Sequence, residues 1–233
     1  MSWSAVGCVW ICGVRGFIKT VRIRVRPCRY SVKSQAILRW PQQCRSYKST
    51  ILICFAMLAT APNAATLQGQ RFDDRVRIAT HELTLNGLGL RSVLFVKVYV
   101  AALYLPEKAA TYGVVASMPG PKRLQLRMLR KADADDFVEA LVEGIEENTS
   151  KPELALLHAR MQQLTQTINA IGSVVAGDNL NFDFVPGVGT SITINGGKKG
   201  KPIEGADFYN AVLKIFVGEN PVDERLKAGL LGK

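Results

Sequence analysis

Residues 87–105, GLGLRSVLFVKVYVAALYL, are the stretch around which the fold is predicted to form. From Val93 to Leu105, twelve of thirteen residues are apolar or aromatic, and Lys97 is the exception. Many of these side chains are β-branched or aromatic, which favours a strand. In a strand, alternate residues point to opposite faces, and here both sets are apolar, so we expect a central strand that is covered on both faces.

Arg91 stands at the entrance of this predicted strand, just after Gly87 and Gly89, which we interpret as turn glycines. A guanidinium at the edge of an apolar cleft suits a carboxylate or an enolate, because its fork binds two oxygens. Tyr99, further along the strand, would supply a second hydrogen bond. On the residues alone, Arg91 is either a structural residue at the rim or the cation of a binding pocket.

The rest of the chain alternates between strand and helix patterns. Residues 122–130 alternate as a half-buried strand does, and Asp133 would cap a helix whose inward stripe includes Phe137 and Leu141. A second helix is expected over residues 152–171, a hairpin over 179–194, and two closing helices over 205–217 and 223–231. The lysines of residues 198–201 indicate a solvated loop. Strands, then helices, then a hairpin predict an α+β fold with a mainly antiparallel sheet backed by helices.

The basic charge of the chain lies in its first 64 residues. They hold ten of the 30 basic residues, none of the 19 acidic residues, all five cysteines and all three tryptophans. The remainder carries 20 basic against 19 acidic residues, so it is near neutral. This distribution argues against a nucleic-acid partner, and it excludes a disulfide or a thiolate metal site after residue 64.

Residues 1–64 are therefore predicted to be a leader, and residues 65–233 a single domain. Within the leader, residues 45–64 are typical of a signal peptide, with a charged start, an apolar run and plausible cleavage after Ala61, Ala64 or Ala65. The apolar run is too short to span a bilayer comfortably, so no membrane span is expected after cleavage. Residues 1–44 exceed what a signal peptide needs, which suggests that translation starts later. The prediction is a periplasmic or secreted protein, and a mitochondrial presequence is the alternative.

The sequence offers little for metal or nucleophilic catalysis. His81 and His158 are its two histidines, and their separation is unlike that of metal ligands or of a catalytic triad. The glycine pairs at residues 87 and 89 and at 187 and 189 lack the third glycine of a dinucleotide-binding fingerprint. We predict neither a metal nor a cofactor.

A resemblance to a known family rests on several short motifs taken together. They are GLGLR (87–91), KVYVAALYL (97–105), GD (177–178), PGVGT (186–190), GADF (205–208), VG (217–218), Asp223, LK (226–227) and LLG (230–232). This combination resembles the chalcone isomerase-like family, particularly its bacterial exported branch, over nearly all of residues 66–233. The resemblance implies an open-faced β-sandwich whose long strands are backed by helices, with a ligand cleft between them.

In the plant enzymes of that family, an arginine, a threonine, a tyrosine and an asparagine orient a phenolate and a water for a Michael-type ring closure. Aligned on this sequence, those positions carry Arg91, Tyr99, Phe137 and Gly144. Three of the four polar groups are therefore changed or lost, which normally costs orders of magnitude in rate. Noncatalytic members resemble fatty-acid binders, in which the arginine holds the carboxylate.

Three hypotheses follow. The first is an exported, non-catalytic protein that binds a small apolar anion such as a fatty acid through Arg91, Tyr99, Phe137 and Leu141. The second is an isomerase or lyase that performs the ring closure with Arg91 and Tyr99. The third is a structural or interaction protein whose cleft is filled by its own side chains. The oligomeric state does not follow from the sequence.

Overall fold

An antiparallel sheet of seven strands organises the computed structural model, which describes residues 64–233. The elements in chain order are β1 Ala64–Leu67, β2 Gln70–Asp73, β3 Arg75–Ile78, β4 His81–Val93, β5 Val96–Leu105, α1 Tyr112–Ser117, β6 Lys122–Met128, β7 Ala132–Asp133, α2 Ala134–Glu147, α3 Lys151–Asn169, β8 Ser173–Val174, β9 Asn179–Val185, β10 Gly189–Ile194, β11 Gly197–Ile203, α4 Ala206–Val217 and α5 Glu224–Leu230.

The main sheet has the order β11-β10-β9-β6-β5-β4-β3, and every neighbouring pair is antiparallel. Two short pairs, β1 with β2 and β7 with β8, stand outside it. β5 lies between β4 and β6, as expected of a central strand. The predicted α+β class, with an antiparallel sheet backed by helices, is confirmed.

Both faces of β5 are buried, as its two-sided apolar pattern predicts. Ala101, Leu103 and Leu105 point into the larger core, where the helices cover the sheet. Val100, Ala102 and Tyr104 point into a second cluster on the opposite face, which includes Phe72 from β2. Burial of such side chains is the main favourable term in folding, so β5 stabilises both layers at once.

The expected strand over residues 93–105 was wrong at its start. β4 and β5 form a hairpin whose two-residue turn is Leu94–Phe95, with Val93 paired to Val96. Leu94 and Phe95 both have positive φ, 46° and 70°. The turn therefore comes seven residues after Gly87, and an apolar sequence without turn residues concealed it.

Gly87 and Gly89 lie inside β4 and are not turn residues. A Cβ on Gly87 would clash with the carbonyl oxygen of Gly229, and one on Gly89 would clash with that of Leu226. The two glycines are needed because α5 lies directly on the backbone of β4. This contact brings the start of α5 close to Arg91.

Two further expectations are corrected. β6 is not half-buried, because it is an inner strand and even Lys122 and Gln125 are buried. The lysines at 198–201 belong to β11, an exposed strand at the edge of the sheet. Lysines on an edge strand discourage pairing with another chain.

The predicted leader, residues 1–64, falls outside the described residues except for Ala64, which opens β1. Within the described part of the chain, the helices are too short or too polar for any of them to cross a membrane.

Candidate functional site

A row of three side chains crosses the sheet at the end that carries the Leu94–Phe95 turn. Arg91 on β4 is the cross-strand partner of Tyr99 on β5, and Tyr99 is the partner of Met128 on β6. Directly opposed residues of an antiparallel pair point to the same face of the sheet. Arg91 and Tyr99 are therefore neighbours on the face that the helices cover.

Helix α2 forms the wall opposite this row. Phe137 and Leu141 are four residues apart, so they lie on the same face of α2 and point toward the sheet. Phe216 of α4 closes the inner end, with its ring centroid 6.5 Å from that of Tyr99. These side chains, with Arg91, line a cavity of about 450 Å³. This volume is within the range of roughly 300–1,000 Å³ that is typical of small-molecule sites.

Most of the cavity lining is apolar, and its charged groups are few. The apolar and aromatic residues that line it are Val93, Val98, Tyr99, Met128, Ala132, Phe137, Ala140, Leu141, Ile215, Phe216 and Val222. The charged residues are Arg91, Lys131 and Asp136. An apolar chamber with a few converging polar groups is the common form of a binding site for an amphiphilic molecule.

Arg91 faces both the cavity and an acidic neighbour. Its Nη1 lies 3.5 Å from Oδ2 of Asp223 and donates a hydrogen bond of 3.3 Å to the carbonyl of Ser92. Within residues 64–233, Nε and Nη2 of Arg91 make no hydrogen bond. Two nitrogens of the guanidinium fork, Nε and Nη2, therefore remain to donate to another partner.

Asp223 is held in place by helix α5. Its Oδ1 accepts hydrogen bonds from the backbone N–H groups of Arg225 and Leu226, as an N-cap residue does. The second carboxylate oxygen is the one that meets Arg91. The carboxylate thus fixes the start of α5 and also lowers the positive charge of the cavity.

Tyr99 stays protonated under ordinary conditions. Burial raises the pKa of its hydroxyl well above the usual value; the Arg91 cation opposes this shift and the Asp223 carboxylate adds to it, both more weakly than burial. The hydroxyl is therefore a neutral hydrogen-bonding group and not a general base near pH 7.

The structure brings all four predicted ligand-binding residues, Arg91, Tyr99, Phe137 and Leu141, to this one cavity. Gly144 is different, because it does not line the cavity. A Cβ at Gly144 would stand 2.8 Å from Cγ2 of Ile215, so this glycine allows α2 and α4 to pack closely. Sequence reasoning named Asp223 among the family motifs but missed its contact with Arg91, which depends on the tertiary structure. Among the described residues, no cluster of histidine, cysteine and carboxylate side chains could hold a metal ion.

A family model described as chalcone isomerase-like matches residues 64–232. The chain belongs to the chalcone isomerase-like family. No individually curated protein shows significant sequence similarity to it.

Among solved structures, this chalcone isomerase-like chain is similar to a fatty-acid binding protein of Arabidopsis thaliana. The two share 15% sequence identity with a TM-score of 0.57, and the alignment covers 72% of this chain and 96% of the plant protein. At such low identity the likeness shows a common fold. It agrees with the antiparallel sheet and covering helices described above.

Proposed function

We propose that this chalcone isomerase-like protein is non-catalytic and binds a small apolar anion, such as a fatty acid, in the cavity above Arg91 and Tyr99. The observation that carries the proposal is the position of Arg91, whose Nε and Nη2 make no hydrogen bond within residues 64–233, at the edge of a mostly apolar chamber. A carboxylate has two oxygens that fit such a fork. The similar plant structure, described as a fatty-acid binding protein, supports this class of ligand.

The lining of the chamber suits a hydrocarbon tail. Met128, Phe137, Leu141 and Phe216 present aliphatic and aromatic surface. Tyr99 adds a neutral hydroxyl beside the guanidinium. A ligand that places its carboxylate at Arg91 and its tail against α2 would satisfy both parts of the cavity.

A second candidate is an isomerase or lyase of the chalcone isomerase type. The observation in its favour is the adjacent placement of Arg91 and Tyr99, which would both donate to a developing oxyanion. Against it, the family positions for tyrosine and asparagine carry Phe137 and Gly144, and Gly144 lies outside the cavity. We therefore rank binding above catalysis.

Titration of a fatty acid and the fatty alcohol of equal length tests the binding function. Arg91→Ala should weaken binding of the acid by about one to two decades, because a charge-assisted hydrogen bond contributes roughly 1.5–3 kcal/mol. Arg91→Lys should restore only part of the loss, since an ammonium lacks the fork. The alcohol should bind the parent more weakly than the acid does, and should bind Arg91→Ala about as well as the parent.

Circular dichroism of each variant controls for folding, and native mass spectrometry of the purified protein would reveal a retained lipid directly. Equal affinity of the acid for parent and Arg91→Ala would make Arg91 a structural residue and would refute the proposal.

We also propose that the protein is exported, as in the bacterial exported branch of the family, to the periplasm or the medium. Cleavage after Ala61 would follow the small-x-small pattern of Ala59 and Ala61. It would also leave β1 whole, including the pair of Ala64 with Asp73. N-terminal sequencing of fractionated cells should find a mature start between Pro62 and Thr66. An intact leader recovered from the cytosol would contradict export.

A further inference from the structure

The tip of the β4–β5 hairpin is the most exposed apolar point among the described residues. Phe95 is 101% exposed and Leu94 is 87% exposed, and the flanking Val93 and Val96 are also exposed. We call residues 93–96 the apolar tip. Apolar side chains that project into water contribute no hydrophobic stabilisation to their own domain.

The backbone of the tip is also unfavourable for its residues. Two-residue turns with positive φ at both positions are normally built from Asn-Gly, because bulky side chains are crowded in that conformation. Here the positions hold Leu94 at 46° and Phe95 at 70°. Strained conformations persist where function requires the side chains, and no contact within the domain requires these two.

The apolar tip borders two hollows of the surface, the ligand cavity and a second groove. On the helix side, Val93 and Arg91 belong to the lining of the ligand cavity. Leu94 and Phe95 also border a groove of about 820 Å³, which runs along β4 past Leu88 and Leu90 to the start of α5. The tip thus lies at the edge of the cavity and connects it to a groove that has both apolar and charged residues.

Charges of both signs surround the apolar tip. Lys97 and Arg225 border the groove together with Asp223 and Glu224. Because the cations and carboxylates nearly balance, net charge does not select the partner. The apolar side chains must supply most of the binding energy.

We propose that the apolar tip inserts into the interfacial layer of a lipid bilayer and docks the cavity against it. The tip is convex and only four residues wide, whereas a stable protein interface buries about 800 Å² on each partner. A bilayer needs no complementary pocket and accepts a leucine and a phenylalanine beside cationic side chains that reach the headgroups. The proposal stands on the tip alone, so failure of carboxylate binding at Arg91 would leave it intact.

Photo-cross-linking from the tip identifies what covers it. The full chain would carry p-benzoylphenylalanine in place of Phe95, and would be irradiated with vesicles of phosphatidylcholine and phosphatidylglycerol at 7:3. A matched control places the same group at Val188, which is 49% exposed in the turn at the opposite end of the sheet. We expect phospholipid adducts from position 95 and few from position 188. Adducts to a second copy or to residues 1–63, or equal lipid adducts from both positions, would overturn the proposal.

Vesicle flotation of a turn variant gives the second measurement. Leu94→Asn with Phe95→Gly installs the preferred turn residues, so the variant should be at least as stable as the parent by thermal melting. Its partition coefficient should fall by roughly tenfold or more, because burial of a Leu or Phe side chain is worth roughly one to two decades. The control Leu156→Ser, at a leucine that is 75% exposed on α3, should change it little, as should 0.5 M salt. Equal partitioning of the turn variant and the parent would contradict insertion of the tip.

Discussion

Neutralising Asp223 would strengthen the binding of an anionic ligand at Arg91. Asp223→Asn removes a negative charge 3.5 Å from Nη1 of Arg91. The asparagine oxygen can still accept from the N–H groups of Arg225 and Leu226, and asparagine caps helices about as well as aspartate. The substitution therefore changes the charge of the site while it keeps the start of α5.

The size of the effect follows from the geometry of the pair. A ligand carboxylate on the far side of the guanidinium would lie roughly 6 Å from Asp223, where repulsion is about 0.7 kcal/mol in water and about 3 kcal/mol at an effective dielectric constant of 20. The side chains of Arg91 and Asp223 are 23% and 16% exposed, so the site lies between these limits. We expect about 1 kcal/mol, which is about fivefold tighter binding of a fatty acid.

Isothermal titration of parent and Asp223→Asn with a fatty acid and its alcohol would measure this effect. The alcohol should bind both proteins equally, since it has no charge to be repelled. Asp223→Ala should give a similar gain for the acid but lose about 0.5–2 kcal/mol of stability with the cap. If the acid binds Asp223→Asn no better than the parent, its carboxylate does not lie at Arg91, or Asp223 is needed to orient the guanidinium, and the electrostatic reasoning fails.

Three other predictions concern stability and activity. Gly87→Ala should destabilise the fold by roughly 2–3 kcal/mol or more in denaturant unfolding, because its Cβ would meet backbone atoms of Gly229 and Leu230. The control is Gly113→Ala, which should be nearly neutral because nothing lies within 4 Å of its Cβ. Cyclisation of a chalcone should be no faster than background, and a robust rate that disappears in Arg91→Ala would favour the enzyme alternative. The N–H of Val175 and then the amide of Asn195 hold the pKa of Asp178 below its ordinary value of 3.8. The ionised carboxylate of Asp178 therefore contributes its full stabilisation above pH 3.8, and this stabilisation is lost as the pH falls through the pKa of the folded state. Asp178→Asn should make the free energy of unfolding depend less steeply on pH in acid. An unchanged dependence on pH would contradict this.

Much of the fold and part of the site follow from local sequence patterns. The two-sided apolar alternation of residues 93–105 predicted a buried central strand, which the structure has over Val96–Leu105. The stripe of Phe137 and Leu141 predicted which face of α2 points inward. Arg91 and Tyr99 were identified as a pair because both lie in the stretch 87–105. Such patterns are readable because strand and helix periodicities are properties of neighbouring residues.

The features that were wrong or missed depend on contacts between distant parts of the chain. Gly87 and Gly89 are glycines because α5 lies on β4, and nothing in the nearby sequence distinguishes that need from a turn. The true turn at Leu94–Phe95 lacks turn residues, so local propensity gave no sign of it. Its apolar side chains were assigned to the interior from their chemistry, although the hairpin places them in solvent.

The electrostatics of the cavity also depend on contacts between distant parts of the chain. The sequence determined that residues 64–233 contain a guanidinium beside a long apolar strand. Only the packing of α5 on β4 decided that Asp223 meets one side of that guanidinium and leaves Nε and Nη2 without a hydrogen bond within residues 64–233. A charge acts on whatever lies within a few ångströms of it, and that distance is set by the folded chain and not by separation in the sequence.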